Sequence, residues 1–265
     1  MTVQLGIIGG GVMGEALLSC LLAQQIYTPD AICVSDPQAD RRIFLNQKYG
    51  VQVTEHNAEA ASGTALLLAI KPQILAKVAV DLAQQASAPL IISILAGVTL
   101  TKLESAFAFK AVVRAMPNTP AQVGAGITVI AAGTLVNSEQ LAITRKIFES
   151  VGQVIELPES LMNAVTGLSG SGPGYVSVVI EALADGGVAA GLPRSIATQL
   201  AIQTVLGTAQ LLQKTGLHPA QLKDRVTSPG GTTIAGIAQL ERSGVRSGLI
   251  DAVIAATRRA EELGS

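Results

Sequence analysis

Leu5-Gly6-Ile7-Ile8-Gly9-Gly10-Gly11-Val12-Met13-Gly14 runs from a short apolar stretch into a glycine cluster and then into helix-compatible residues. It reads as strand, tight turn and helix. Gly9, Gly11 and Gly14 stand at the G-x-G-x-x-G spacing. The first glycine allows the tight turn, the second lets backbone approach a pyrophosphate, and the third lets helix pack on strand. The phosphates would then sit on N–H groups of a helix that begins near Val12 and continues through the amphipathic segment 15–25. Glycines also mark ordinary turns; the strand before these and the helix after them favour the dinucleotide reading. Ala31-Ile32-Cys33-Val34-Ser35-Asp36 supplies the acidic residue that such a site wants about twenty residues on, at the end of the next strand, to accept from a ribose hydroxyl. Followed by Pro37, Asp36 also suits a helix entry, and the two roles are compatible.

Composition limits the rest. The 265 residues allow one or two domains with a sizeable core. A net charge of −1 gives no electrostatic footprint for nucleic acid or an anionic membrane. Only 14% of residues are charged and the mean hydropathy is +0.46, so a membrane or a large buried interface must absorb apolar surface. The longest uncharged stretches, 82–101 and 115–138, are broken by Gln84, Gln85, Pro89, Pro117, Asn118 and glycines, and neither spans a bilayer. A soluble oligomer is expected, and no cleavable signal is read at the N-terminus. Cys20 and Cys33 lack zinc-site spacing and read as buried structural thiols, which points to the reducing cytoplasm. His56 and His218 have no metal-ligand or triad neighbours in sequence and read as loop or helix-start residues, so no metal is expected.

The first half alternates strands and helices. Helix is expected over 38–48, 73–85, 100–107 and 139–150; strand over 64–70, 90–95, 112–113, 127–131 and 154–155. Alternation of this kind gives an α/β doubly wound sheet with right-handed crossovers, whose ligands bind outside the carboxyl ends of the strands. Lys71-Pro72, Gly97 and the loop Met116-Pro117-Asn118-Thr119-Pro120 lie at such ends. Near Leu157-Pro158 the texture changes, dividing the chain into 1–158 and 159–265. The second part is all-α: helices are expected over 175–190, 196–212, 219–225, 234–242 and 246–263. Segment 196–212 carries no charge, as a helix buried against another subunit would. Ser228-Pro229-Gly230-Gly231-Thr232-Thr233 opens a helix with two glycines and three hydroxyls, a set of donors that suits a carboxylate and serves equally as an ordinary helix start.

This cluster, together with Thr166-Gly167-Leu168-Ser169-Gly170-Ser171-Gly172-Pro173, Leu222-Lys223-Asp224 and Met116-Pro117-Asn118-Thr119-Pro120, resembles the pyrroline-5-carboxylate reductase family from the first strand to the last helix. The resemblance implies a Rossmann-type N-terminal domain, an all-α dimerisation domain, further assembly of the dimer, and reduction of (S)-1-pyrroline-5-carboxylate to L-proline with NADPH or NADH. It implies that Gly9, Gly11, Val12, Met13 and Gly14 hold pyrophosphate, that Ser35 and Asp36 hold the adenosine ribose, and that Asn57, Ala69, Lys71, Pro72, Ala96 and Asn118 hold the rest of the cofactor. Ser228, Gly230, Gly231, Thr232, Thr233 and Thr166 would hold substrate, with Ser228 and Thr233 the catalytic pair. The Thr233 hydroxyl is the natural contact for the ring nitrogen, and the reaction needs neither nucleophile nor metal.

Two other readings compete. A related hydroxyacid or ketopantoate-type dehydrogenase would show a catalytic lysine or carboxylate in the helical half; Lys214 and Lys223 are there without a glycine-rich companion. A non-catalytic redox sensor would lack the second polar cluster at 228–233.

Overall fold

The computed structural model describes residues 3–83 and 90–264. Among the described residues eight strands form one sheet: β1 (Leu5–Ile8), β2 (Ile32–Ser35), β3 (Gln52–Thr54), β4 (Ala65–Leu68), β5 (Leu90–Ser93), β6 (Val112–Met116), β7 (Gly126–Ala132) and β8 (Gly152–Glu156). Their order is β3-β2-β1-β4-β5-β6-β7-β8. Strands β1 to β6 are parallel, and β1, β2, β4 and β5 are buried at every residue, which is why they read as continuous apolar runs.

The helices between them are α1 (Val12–Ala23), α2 (Ala39–Tyr49), α3 (Asn57–Ala60), α4 (Leu75–Leu82), α5 (Leu100–Ala106) and α6 (Ser138–Glu149). Leu17, Leu18, Leu21, Leu45, Ile147 and Phe148 pack on one face of the sheet, with Leu5, Ile7, Val34 and Leu67. Ala60, Val78, Leu82, Leu103 and Phe107 cover the other, with Ile8, Leu66 and Leu68. Two features depart from the expected alternation. Strand β7 runs antiparallel to β6, because residues 117–125 hold only the 3-10 turn Thr119–Val123 and are too few for a crossover. Strand β3 escapes the sequence pattern: it is three residues at the sheet edge, of which Gln52 is exposed, Val53 half-buried and Thr54 buried. The helix expected over 73–85 is a 3-10 turn, Pro72–Ile74, followed by α4, and its last two residues lie outside the described residues.

The remaining helices are α7 (Met162–Val165), α8 (Gly172–Ala189), α9 (Arg194–Thr215), α10 (Pro219–Arg225), α11 (Thr232–Arg242) and α12 (Val245–Gly264), with a π turn over Thr166–Gly170. Packing divides the chain into two compact units, one running to Ser171 and resuming at Ala255, the other Gly172–Ile254. The division falls later than the expected one at 158, because Met162 is wholly buried among the sheet residues. The last turns of α12 also return to the first unit, where Lys102 Nζ donates to the Gly264 carbonyl at 3.3 Å. In the second unit α8 and α9 pack through Ala184, Ala197 and Ala201. Among the described residues no helix is long and apolar enough to cross a membrane.

Candidate active site

The glycine turn joins β1 to α1 at the carboxyl edge of the sheet. Gly9 has φ +101°, and a Cβ on it would stand 2.4 Å from the Ala69 carbonyl oxygen; one on Gly14 would stand 2.2 Å from the Gly9 carbonyl oxygen. These two glycines let strand, turn and helix touch. Gly11 differs, since a Cβ there meets nothing within 4 Å, and as N-cap of α1 it has no side-chain capping bond. Open space beside an uncapped helix start fits a pyrophosphate. Val12, 68% exposed, and half-buried Met13 begin that helix.

Asp36 follows the last residue of β2, buried, with both carboxylate oxygens engaged. Oδ2 accepts from the Gly10 N–H at 2.9 Å and Oδ1 from the Gln38 N–H at 2.9 Å. Gln38, not Asp36, is the N-cap of α2, so Asp36 holds the turn before the helix. Ser35 is 1% exposed, and its hydroxyl donates to Asn57 Oδ1 at 2.8 Å. Asn57 Nδ2 in turn donates to Asp81 Oδ2 at 3.0 Å. Ser35 therefore stands behind Asn57, which is half-buried at the start of α3. Arg42 donates to the Asp36 and Pro37 carbonyls and pairs with Glu55 at 3.2 Å.

Further along the edge, Met13, Ala69, Ile70, Ile94, the stretch 116–119 and Gly170 line a cavity of about 280 Å³. Of the sequence-expected cofactor residues, Met13, Ala69 and Asn118 are here; the Asn118 side-chain carbonyl accepts from the Ile127 N–H at 3.0 Å. Lys71 and Ala96 are exposed at the same edge, and Pro72 opens the 3-10 turn. Ile70, Ile94 and Gly170 were not singled out as site residues. The strand-end rule points to the first two, while Gly170 is brought in by the π turn, in which the Ser171 N–H reaches the Thr166 carbonyl at 2.9 Å. A Cβ on Gly170 would stand 2.7 Å from Met116 Cε. The Thr166 hydroxyl donates to the Met162 carbonyl at 2.8 Å.

The 228–233 cluster belongs to the second unit. Gly230 takes φ +69°, Gly231 is the N-cap of α11 without a side-chain cap, and a Cβ on Gly231 would stand 2.3 Å from Ser228 Oγ. Ser228 and Thr232 are exposed and Thr233 half-buried. Among the described residues their hydroxyls have no hydrogen-bond partner. An uncapped helix start with three free hydroxyls presents donors of a kind that suits an anion.

The histidines stand at helix starts and Cys33 is buried, as expected of them, whereas Cys20 is only half-buried. His218 Nδ1 caps α10 by accepting from the Ala220 N–H at 3.2 Å. Cys33 is buried, and burial together with the Glu59 charge pushes its thiol up to about 11, which leaves it inert. Among the described residues no group of three potential metal ligands gathers.

A family model described as pyrroline-5-carboxylate reductase dimerisation matches residues 159–263, and one described as NADP oxidoreductase, coenzyme F420-dependent, matches 4–97. A pyrroline-5-carboxylate reductase of Synechocystis sp. is 59% identical over 265 residues, covering 100% of this chain and 99% of that one. The structure of the Coxiella burnetii enzyme superposes with a TM-score of 0.92 at 36% identity, with 100% of both chains covered. That of Plasmodium falciparum pyrroline carboxylate reductase with NADP bound gives 0.90 at 32%, covering 99% of this chain and 98% of that one. A sheet of this order, a glycine turn open at Gly11 and relatives matched end to end agree: the chain belongs to the pyrroline-5-carboxylate reductase family.

Proposed function

We propose that the protein reduces (S)-1-pyrroline-5-carboxylate to L-proline, the last step of proline biosynthesis, with NADPH or NADH supplying the hydride. The observation that carries this reading is the helix start of α1, open at Gly11 and uncapped, on the same sheet edge as the cavity closed by residues 116–119 and Gly170. Gly9, Gly11, Val12, Met13 and Gly14 hold the pyrophosphate. Asp36, Asn57, Lys71, Pro72 and Ala96 flank the adenosine side and the ribose, with Ser35 supporting Asn57 from beneath. Ala69 and Asn118 orient the nicotinamide end.

Ser228, Gly230, Gly231 and Thr232 bind the substrate carboxylate through backbone N–H groups and hydroxyls, Thr166 contributes to the substrate pocket, and the Thr233 hydroxyl contacts the ring nitrogen. Imine carbon becomes more electrophilic when its nitrogen accepts a hydrogen bond or a proton, so a hydroxyl there assists the reduction without a nucleophile. The domain matching 159–263 makes a homodimer, and dimers assemble further in the cytoplasm. Incubating the purified protein with L-proline and NAD+ or NADP+ at alkaline pH tests the reading in reverse. Growth of the reduced-nicotinamide absorbance is expected, and its absence with both nucleotides would refute the assignment.

A further inference from the structure

Gly10, the residue between the first two glycines of the motif, has both of its flanking peptide units held. Its N–H is taken by Asp36 Oδ2 at 2.9 Å, and its carbonyl accepts from Arg41 Nε. A Cβ on Gly10 would stand 2.6 Å from Leu45 Cδ1 and 3.3 Å from Asp36 Oδ2, so β2 and α2 close around it. Arg41 is fixed in turn: its Nη2 pairs with Glu15 Oε2 on the first turn of α1, and its guanidinium lies 5.0 Å from the Phe44 ring centroid. Glu15 is anchored further by Tyr49 Oη at 2.7 Å and Lys48 Nζ at 3.0 Å on its other oxygen. Burial pushes the Glu15 carboxyl up, but the hydrogen bonds from Arg41, Tyr49 and Lys48 outweigh it and bring the group down to about 2.

We infer that Arg41 and Glu15 are positioning residues that lock the Gly10–Gly11 peptide unit, so that the phosphate-binding turn is formed before any nucleotide arrives. With the Gly9–Gly10 unit pinned through its N–H and the Gly10–Gly11 unit through its carbonyl, neither plane is free to rotate, and the Gly11 N–H, which belongs to the second unit, is fixed with it at the open helix start. Ordering that turn on binding would otherwise lower the affinity for every dinucleotide alike. Arg41 stands beside the second strand, where an arginine is expected to meet a 2′-phosphate. Here two of its nitrogens are turned to Gly10 and Glu15, so it acts on the cofactor through Gly10. Lysine cannot replace it, because one ammonium does not span the carbonyl and the carboxylate with a planar fork.

This inference rests on the nicotinamide-nucleotide reading above. Dissociation constants for NADH and NADPH, measured by fluorescence on the whole protein, test it with Glu15→Gln, Arg41→Lys and Lys48→Gln. The first two are expected to weaken both nucleotides by the same factor, about three- to tenfold, with kcat and substrate KM unchanged at saturating cofactor. Lys48→Gln, which touches Glu15 but not the turn, should leave both constants unchanged. A loss confined to NADPH in Arg41→Lys would overturn the inference by making Arg41 a 2′-phosphate contact. So would unchanged affinities in Glu15→Gln, or a fall in kcat that tracks a lowered melting temperature. If the parent protein binds neither nucleotide, it is the functional reading that fails.

Discussion

Thr233 carries the substrate half of the proposed chemistry. It is the second residue of α11, half-buried, with a hydroxyl that no other described residue occupies. Replacement with Val keeps the branched shape and deletes the hydroxyl. Both kcat and kcat/KM should fall, by about ten- to a thousandfold, because the contact to nitrogen strengthens as the amine forms. Ser228→Ala should instead raise substrate KM more than it lowers kcat, since a carboxylate contact is made equally in ground and transition states. Steady-state kinetics on the two variants, with nucleotide affinity measured separately, distinguishes these roles; a Thr233→Val enzyme as active as the parent would assign the proton to solvent. Asp36 gives a second prediction at this scale. Its carboxylate braces Gly10 and Gln38 just past the end of β2, so NADH is expected to be accepted, and comparing kcat/KM for NADH and NADPH checks it. Strict dependence on NADPH would remove Asp36 from the ribose role.

At the scale of elements, the three motif glycines are not equivalent. Gly11→Ala should fold as the parent does, since its Cβ enters open space, yet weaken both nucleotides by about tenfold or more by occupying the pyrophosphate's place. Gly14→Ala should lower Tm, because its Cβ would lie 2.2 Å from the Gly9 carbonyl and force α1 off β1. Thermal melts and nucleotide titrations on the pair read the two effects apart. The strand-turn-helix of this motif was legible because β1 is wholly apolar and the glycine spacing has a steric meaning. Strand β3 was not legible, being three residues at an edge, and neither was the reversal at β7, which depends on connection length more than on composition. The Gly10 brace is invisible for another reason: Asp36, Arg41 and Glu15 come from three separate elements, and no spacing rule brings them together.

The Glu15 network also sets a pH dependence. Its folded carboxyl stands at about 2 against an ordinary 4.5, a lowered value. Its contribution is therefore fully present above about 4.5 and lost as pH falls toward 2. The Tm difference between the parent and Glu15→Gln should shrink over that window in thermal scans. A difference that stays constant would show that the ionised carboxylate adds nothing.

For the whole molecule, the second unit exposes what a lone chain leaves uncovered. Leu200 is 52% exposed, Ile202 48% and Leu206 47%, all on the uncharged stretch 196–212 of α9. Ala201, expected to lie between subunits, is 6% exposed within its own chain against α8, so it reports on folding. Leu206 is the clean probe of association. Leu206→Asp would place an unpaired charge in the interface at a cost of about several kcal/mol, and light scattering should show a smaller particle. An unchanged mass would mean that this face is not buried between subunits. The division of labour between a dinucleotide-binding sheet and a helical unit that carries the 228–233 cluster was legible in the sequence through the change of texture near residue 158. Where packing divides the chain was not, because Met162 joins the sheet core through tertiary contact alone.

The most direct test of the proposed activity is stoichiometry in the forward direction. Purified protein, given (S)-1-pyrroline-5-carboxylate and NADH or NADPH, should form one L-proline for each reduced nucleotide oxidised, with proline identified by mass spectrometry. Nucleotide oxidation without proline, or activity only on a 2-keto or 2-hydroxy acid, would contradict it.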